Sequence, residues 1–345
     1  MVMTVRGVIR SIRTTLAVLI AAAAFAGPAV AQTAVKFAID GRFEGPSAFL
    51  AVGLDKGYYS AAGLDVSIES SAPPLDAIAR VASGAADLGF ADINAMIRFR
   101  DQNSNAPLKA VFMIYNRPPF AIITRKSRGV LAPKDLEGKR LGAPAADPAF
   151  AQWKIFVQAN GIDASKVVIE NVGFPVREPM LAAGQVDAIT GLSFTSYVNL
   201  KDRGVPVEDI VVLLMADYGV DLYGHAIIVN PKFAAEKPDA VKSFLYAVLR
   251  GLKDTVRNPP AAVDAVIKRN DAAKKDIELE RLRMALRDNI LTPEVRANGY
   301  GDVDMARLGK AIDQTALTHT FKTKPKAADV FDAGFLPPAA ERRVN

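Results

Sequence analysis

Short apolar runs alternate with segments of helical spacing through the first part of the chain. The run at 34–40 (AVKFAID) is typical of a buried strand, and 46–56 carries apolar residues at helical spacing before a glycine. Further strands are predicted at 64–68 and 87–91, with a helix between them that opens at a Pro-Pro pair and ends at Gly84. Strands alternating with helices of about ten residues indicate βαβ units and a parallel sheet.

The same alternation begins again further along the chain. It predicts strands at 140–143, 166–170 and 186–190, and helices at 149–160 and 176–183. Two α/β lobes of similar organisation follow from this, each of about 100 residues.

Two β-branched strands lie where one α/β series stops, at 119–125 (PFAIITR) and 224–231 (GHAIIVNP). They predict that the chain passes out to a second lobe and returns. Two ordinary core strands of one sheet are the alternative. On the first interpretation, lobe 1 contains 32–120 and 228–345, and lobe 2 contains 121–227.

The remainder of the chain has a helical pattern. Apolar positions at helical spacing predict helices at 238–257, 260–269, 275–290 and 303–316. Acid–base pairs within 276–287 indicate a solvated helix face, and a basic partner-binding helix is the alternative. We expect the turn-rich stretch 336–345 to be frayed.

The first 31 residues have the pattern of a cleaved export signal. Three arginines precede the apolar run 16–25 (LAVLIAAAAF), and Ala29-Val30-Ala31 supplies a small-x-small cleavage site. A membrane anchor is the alternative, but the run is about half the length that spanning requires. Because Gln32 rather than cysteine follows the cut, we expect a soluble periplasmic protein without a lipid anchor.

Composition narrows the chemistry. The 345 residues include no cysteine, which excludes disulfides, thiolate metal sites and a cysteine nucleophile. The net charge of +6 comes from 43 basic and 37 acidic residues. Three of the basic residues and none of the acidic ones lie in 1–31, so 40 and 37 remain. The chain after residue 31 is therefore nearly neutral, and its charge does not indicate nucleic-acid binding.

A search for catalytic motifs finds none that is complete. His225 and His319 lack partners at metal-binding spacing, and HExxH, G-x-S-x-G and G-x-G-x-x-G are absent from the sequence. His225 is interpreted as a core histidine, with a ligand contact as the alternative. We therefore predict a protein that is not an enzyme and has no metal and no cofactor.

Candidate binding residues follow the predicted strands, because ligands of open α/β sheets bind at the carboxyl ends of strands. Asp92 and Asp147 have helix N-caps as the alternative role, and Phe174 and Phe194 have core packing. Mixed acidic and aromatic side chains suit a planar or zwitterionic organic solute that carries amino groups. The predicted ligand-binding residues are Asp40, Arg42, Phe43, Glu44, Asp92, Ile93, Asn94, Tyr115, Asn116, Ala146, Asp147, Phe174, Arg177, Ser193, Phe194, Asp217 and Tyr218.

Four segments resemble periplasmic solute-binding proteins of the nitrate/sulfonate/taurine type, which are related to thiamine-pyrimidine-precursor binding proteins. They are 48–68 with its Gly-Tyr-Tyr and Gly-Leu-Asp-Val motifs, 81–92, 135–142 and 180–189. The resemblance covers about 34–257 in the expected order.

The resemblance implies a type II periplasmic-binding-protein fold, with two α/β lobes joined by two crossing strands and a helical C-terminal region. It also implies a monomer that captures an alkanesulfonate-like or pyrimidine-like solute by hinge closure and delivers it to the permease of an ABC importer. Two alternatives stay open. One is an exported pyrimidine synthase, whose relatives depend on a cysteine-rich motif that this chain lacks. The other is an adaptor that presents its closed form to a membrane receptor.

Overall fold

Two five-stranded sheets organise the residues that the computed structural model describes, 32–71 and 76–344. Sheet 1 contains β1 Thr33–Asp40, β2 Leu64–Ser71, β3 Leu88–Asp92, β4 Lys109–Met113 and β10 His225–Val229. Sheet 2 contains β5 Phe120–Arg125, β6 Arg140–Ala143, β7 Val168–Asn171, β8 Ala188–Leu192 and β9 Ile210–Leu214. Each sheet with the helices packed on it is called lobe 1 or lobe 2.

The strand orders are β2-β1-β3-β10-β4 and β7-β6-β8-β5-β9. In sheet 1, β1 is parallel to β2 and β3, and β10 is antiparallel between β3 and β4. In sheet 2, β6 is parallel to β7 and β8, and β5 is antiparallel between β8 and β9. The two predicted β-branched strands, β5 and β10, therefore lie in different sheets, which excludes the one-sheet alternative.

Two irregular segments connect the sheets, 114–119 between β4 and β5 and 215–224 between β9 and β10. We call them the first and second crossing segments. They carry the chain out to lobe 2 and back, while the strands that follow them are ordinary sheet members.

The α-helices of the described residues are mostly short, and several begin at a proline or a capping side chain. Asn230 caps the helix Pro231–Glu236 and Asp304 caps the helix Met305–Thr315, and each accepts two backbone N–H bonds of the first turn. The helices are α1 Ala48–Asp55, α2 Tyr58–Ala61, α3 Asp76–Ser83, α4 Ile93–Gln102, α5 Trp153–Asn160, α6 Phe174–Ala182, α7 Ser193–Asp202, α8 Pro231–Glu236, α9 Pro238–Arg257, α10 Pro259–Ile267, α11 Lys275–Ala285, α12 Pro293–Asn298, α13 Met305–Thr315 and α14 Ala327–Val330.

The core of lobe 1 forms where α9 packs on β1 and α1. Phe244 of α9 stacks on Phe37 of β1 at 5.1 Å between ring centroids, and on Tyr59 at 5.2 Å. Gly251 lets α9 approach the backbone of α1, because a Cβ there would overlap the carbonyl oxygen of Phe49. Burial of these large rings supplies the main driving force for docking the C-terminal helices.

The structure differs from the sequence predictions in several elements. β4, α4, α7 and β9 were not predicted, and the predicted helix 275–290 ends at Ala285 and continues as a π-helical turn, Leu286–Ile290. The stretch 336–344 is not frayed. Arg342 is 7% exposed and donates hydrogen bonds to the carbonyl oxygens of Pro337 and Tyr300.

Two predictions lie outside the described residues, namely the export signal at 1–31 and the Pro-Pro start of the helix before Gly84. Within 32–71 and 76–344, no helix has the length and apolar character needed to cross a membrane.

Candidate functional site

The two lobes meet where the central strands β3 and β8 end. The N–H of Ile93, at the start of α4, donates to the carbonyl of Gly224 in the second crossing segment at 3.1 Å. The N–H of Ser193, at the start of α7, donates to the carbonyl of Pro119 in the first at 2.7 Å. Each crossing segment is thus fastened to the strand end at which an α/β sheet binds its ligands.

An aromatic cluster joins the lobes at this place. Tyr115 of the first crossing segment lies 5.5 Å from Phe90 and 5.3 Å from His225 of lobe 1 between ring centroids. Phe194 of lobe 2 lies 6.3 Å from Tyr115 at an interplanar angle of 71°, in an edge-to-face arrangement. We call these four residues the aromatic cluster. Phe194 is 3% exposed, which confirms the alternative prediction that it packs in the core.

Three buried polar atoms at these strand ends have no hydrogen-bond partner among the described residues. They are Asn94 Oδ1, Ser193 Oγ and His225 Nδ1. Asn94 is fixed because its Nδ2 donates to the carbonyl of Tyr223 at 2.7 Å and to Asp92 Oδ2 at 3.1 Å. A buried acceptor without a donor is costly, and functional sites are where such groups are retained.

Asp92 is completely buried and caps α4, since its Oδ1 accepts from the N–H of Ala95 at 2.8 Å. Burial raises the pKa of Asp92 to about 6, against the opposing charge of Arg98. Burial also lowers the pKa of His225, which pairs with Asp92 across β3 and β10, to about 4. Both side chains at this strand end therefore tend to be neutral in weakly acidic solution.

Lobe 2 contributes a buried charge network. Arg177 donates to Asp147 Oδ2 at 3.2 Å and, through Nη2, to Glu178 Oε1 at 2.7 Å. Thr190 and Ser196 donate to the same two carboxylates, each bond being 2.6–2.7 Å long. Burial raises the pKa of Asp147, while Arg177 opposes the shift. Asp147 also caps the next turn by accepting from Ala149, so its charge has a structural use.

Sequence reasoning missed a second set of residues, on α11. Arg281 donates to Glu278 at 2.6 Å and to Asn199 of lobe 2 at 2.8 Å, and it lies 3.4 Å from Glu44. Glu278 in turn accepts from the N–H of Gly45. The interpretation of 276–287 as a solvated face was therefore wrong for these two side chains, which are 11% and 3% exposed.

Glu44 and Tyr115 are close enough to influence one another. Burial and, to a lesser degree, the charge of Glu44 raise the pKa of Tyr115. Burial likewise raises the pKa of Glu44, although 37% of its side chain is exposed, and the charge of Arg281 opposes this. The structure thus brings together the predicted residues Glu44, Asn94, Tyr115, Ser193 and Phe194 around the lobe contact.

Two cavities lie between the lobes. The smaller, of about 310 Å³, separates α3 and α4 of lobe 1 from the loop that carries Ala146 and Asp147. The larger, of about 830 Å³, runs between α11 and the α7–β9 surface. Several charged residues on its rim are paired with one another, as in Lys201–Glu280 and Arg287–Asp288. The smaller cavity lies at the strand ends and is at the lower limit of ligand-site volumes.

Other predicted site residues have structural partners. Asn116 is bound by Thr292 and Arg307, and Asp217 forms an ion pair with Arg117 at the rim of the larger cavity. Tyr218 packs on Phe156 at 6.2 Å between ring centroids, in the core of lobe 2. Asn116 lies in the first crossing segment, and Asp217 and Tyr218 lie in the second. These three residues therefore belong to the joint between the lobes and not to the aromatic cluster.

The remaining predicted residues differ in exposure. Phe43 and Ile93 are buried in core clusters, and Asp40 accepts from the N–H of Ala77 at 3.0 Å. Arg42 and Ala146 are exposed, while Phe174 is 38% exposed and lies 5.6 Å from the Arg177 guanidinium. Among the described residues, no group of three or more metal-binding side chains is placed to hold an ion.

Curated relatives resemble the chain over about two thirds of its length. It is 28% identical over 229 residues to the riboflavin-binding protein RibY of Chloroflexus aurantiacus, covering 66% of this chain and 64% of that protein. It is 28% identical over 244 residues to a formylaminopyrimidine-binding protein of Halalkalibacterium halodurans, covering 69% and 72%. A 4-amino-5-hydroxymethyl-2-methylpyrimidine phosphate synthase of Schizosaccharomyces pombe is 26% identical, over 59% of this chain and 60% of that protein.

Solved structures share the fold at lower identity. The periplasmic aliphatic sulphonate binding protein SsuA of Escherichia coli superimposes with a TM-score of 0.69 at 11% identity, covering 86% of this chain and 91% of that one. The alkanesulfonate-binding protein SsuA of Xanthomonas axonopodis gives 0.63 at 14% identity, covering 88% and 98%.

These neighbours confirm the periplasmic-binding-protein fold that the family resemblance implied: two mixed α/β sheets followed by a helical C-terminal region. The model of the family described as NMT1/THI5 like matches residues 46–262, which is more than half of the chain. The chain therefore belongs to the NMT1/THI5-like family.

Proposed function

We propose that this protein is the solute-binding component of an ABC importer, and that it captures a small planar organic solute with N–H donors and releases it unchanged. The observation that carries the proposal is the aromatic cluster, whose rings come from both lobes. The unpartnered acceptor Asn94 Oδ1 lies just beyond the end of β3, the strand that carries Phe90 of the cluster. Aromatic rings supply stacking area, and an oriented amide oxygen supplies the specificity of a hydrogen bond.

The arrangement of the lobes supports capture by closure. Tyr115 lies at the start of the first crossing segment, whereas Phe194 starts α7 of lobe 2, so separation of the lobes would expose both rings. A solute that contacts both would favour the closed population by its difference in affinity for the two states. The proposal keeps the lobe boundaries that the sequence predicted, between residues 120 and 121 and between residues 227 and 228.

The names of the relatives point to the same class of solute. Riboflavin and formylaminopyrimidine, named for two relatives at 28% identity, are both planar nitrogen heterocycles. The sulfonate-binding neighbours share only the fold at 11–14% identity, so they give little guidance on the solute. We therefore favour the pyrimidine-like over the alkanesulfonate-like solute.

A synthase on the same fold is the competing function, because several relatives carry that name. The chain contains no cysteine, and the resemblance implies that those enzymes depend on a cysteine-rich motif. A binding role requires no nucleophile, and it fits an aromatic cluster that includes His225, whose pKa burial lowers to about 4 so that the ring is neutral near pH 7.

Export and delivery complete the proposal. The signal-like pattern of 1–31 predicts that the mature chain is periplasmic, and there an ABC permease would receive the solute as the monomer opens. The described residues contain no helix able to cross a membrane, in keeping with a partner that supplies the membrane passage.

A thermal-shift panel tests the proposal, since a tightly bound solute raises the unfolding temperature by mass action. The panel contains formylaminopyrimidine, hydroxymethylpyrimidine, riboflavin, taurine, ethanesulfonate and nitrate. We expect a heterocycle to stabilise the wild type, Asn94→Ala to abolish the shift, and Asn103→Ala, at the far end of α4, to retain it. A response to nitrate or sulfonates alone, or turnover of a heterocycle, would contradict the proposal.

A further inference from the structure

Arg307 of α13 binds both crossing segments at once. Its Nη2 donates to the carbonyl of Asn116 in the first segment and to that of Leu222 in the second, each at 3.0 Å. Its Nη1 donates to Asn116 Oδ1 at 3.1 Å, and its Nε to Asp221 at 2.7 Å. A planar guanidinium can serve two backbone carbonyls and a side chain together, which a lysine ammonium at the end of a flexible chain cannot reproduce.

The guanidinium is itself held in place. It lies 4.1 Å from the ring centroid of Tyr223 and donates to Glu294 of α12 at 2.8 Å. Its side chain is 15% exposed, and hydrogen bonds from a charged donor in such a setting are about twice as strong as neutral ones. Asp221 and Glu294 are the acidic groups that face it, so its charge is compensated.

A second contact from α13 reaches the same joint. Gln314 Nε2 donates to the carbonyl of Gly219 at 2.8 Å, and its Oε1 accepts from the N–H of Asp221 at 2.9 Å. The helix also packs on both lobes, because Leu308 and Ile312 belong to a lobe 1 core cluster while Ala311 belongs to that of lobe 2. α13 therefore lies across the joint.

We propose that Arg307 is a positioning residue that ties the two crossing segments into one hinge and thereby sets the angle between the lobes. The residues that Arg307 contacts are connected to the candidate site in two ways. Asn116 directly follows Tyr115, and Tyr223, over whose ring Arg307 lies, accepts the bond that orients Asn94. Only this last step rests on the proposed function, and the hinge itself can be tested without any solute.

The absence of cysteine makes the test clean, because two introduced thiols are the only sites for spin labels. Lys242→Cys on α9 and Lys154→Cys on α5 place one label on each lobe at exposed positions. Pulsed electron–electron double resonance then gives the distribution of distances between the two spin labels in the full chain. Circular dichroism at the same temperature confirms that each variant is folded.

We expect a single narrow distribution for the parent and at least a twofold broader one for Arg307→Gln. Arg307→Lys keeps the charge and loses the shared carbonyl bonds, so it should also broaden the distribution. Lys310→Gln, an exposed change on the same helix, should leave it unchanged.

Gln314→Ala removes only the second contact and should broaden the distribution less, in the same direction. If Arg307→Gln does not fold, the distance distribution of Gln314→Ala tests the proposal instead. Parent-like widths in folded Arg307→Gln and Gln314→Ala would overturn the proposal while leaving the proposed function untouched.

Discussion

Arg177 illustrates how single residues of the site depend on buried charge. It compensates two carboxylates, Asp147 and Glu178, whose side chains are 2% and 5% exposed. We expect Arg177→Met to lower the free energy of unfolding by about 3–5 kcal/mol, because it leaves both acids buried without their cation. Urea denaturation measures this.

The matched control is Arg287→Met. Its partner Asp288 is close, but the Arg287 side chain is 69% exposed, so loss of that pair should cost about 0–1 kcal/mol. Equal losses in the two variants would show that the Asp147–Arg177–Glu178 network is not strongly desolvated.

His225 gives a prediction for pH. Burial lowers its pKa from 6.5 to about 4, so between these values the unfolded chain binds a proton that the folded protein does not. The stability that His225 contributes is therefore present above pH 6.5 and is lost as the pH falls towards 4. The chain has two histidines, so NMR titration of their ring carbons resolves them. The His225 signal should stay unshifted from pH 7.5 to 5, and a midpoint near 6.5 would refute this.

Residue roles were predictable from the sequence where they are local. Asp92 and Asp147 were expected either in the site or as helix caps. Asp92 caps α4, whereas Asp147 accepts the N–H of Ala149 in the turn that precedes α5. Arg281 and Glu278 could not be found this way, because their burial depends on contacts such as Glu278 with Gly45, which is 233 residues away. The spacing of residues along one helix does not predict which distant segment will pack on that helix and bury its side chains.

At the scale of elements, the two mid-helix glycines of α9 and α13 allow a direct comparison. Alanine at an exposed helical glycine usually stabilises by up to about 1 kcal/mol. At Gly309, the described residues leave a Cβ free of any heavy atom within 4 Å, so Gly309→Ala should raise stability by that order.

Gly251→Ala should do the opposite. Its Cβ would overlap the carbonyl oxygen of Phe49, and overpacking of this kind costs about 1–3 kcal/mol. Thermal unfolding of both variants checks the sign. Stabilisation by Gly251→Ala would mean that α9 and α1 can separate without loss.

Elements with strong periodicity were predicted well, and α9 matches its predicted bounds of 238–257. β9 was missed although its apolar run IVVLL is typical of a buried strand. α7 was missed because its apolar residues follow no single face pattern. Phe194 and Val198 of α7 pack in the lobe 1 cluster, whereas Leu200 packs in lobe 2. A helix that serves two cores loses the amphipathic pattern of a helix that serves one.

For the whole molecule, the alternation of strands and helices and the two β-branched strands were enough to predict two α/β lobes, and the resemblance of four segments to a known family implied the periplasmic-binding-protein fold. The joint was not predictable in detail. The two β-branched segments predicted to carry the chain between the lobes, 119–125 and 224–231, contain strands β5 and β10, which are held inside their sheets. The irregular crossing segments and α13 form the joint instead, through contacts such as Arg307 with Leu222 that only the folded chain creates.

Titration calorimetry with the heterocycle that gives the largest thermal shift tests the central claim most directly. The account predicts saturable binding of one solute per chain, recovery of the solute unchanged, and at least tenfold weaker binding by Phe194→Ala, a loss of about 1.4 kcal/mol. Equal affinity in Phe194→Ala would place the solute away from the aromatic cluster. Continuing heat with conversion of the solute would show an enzyme instead of a binding protein.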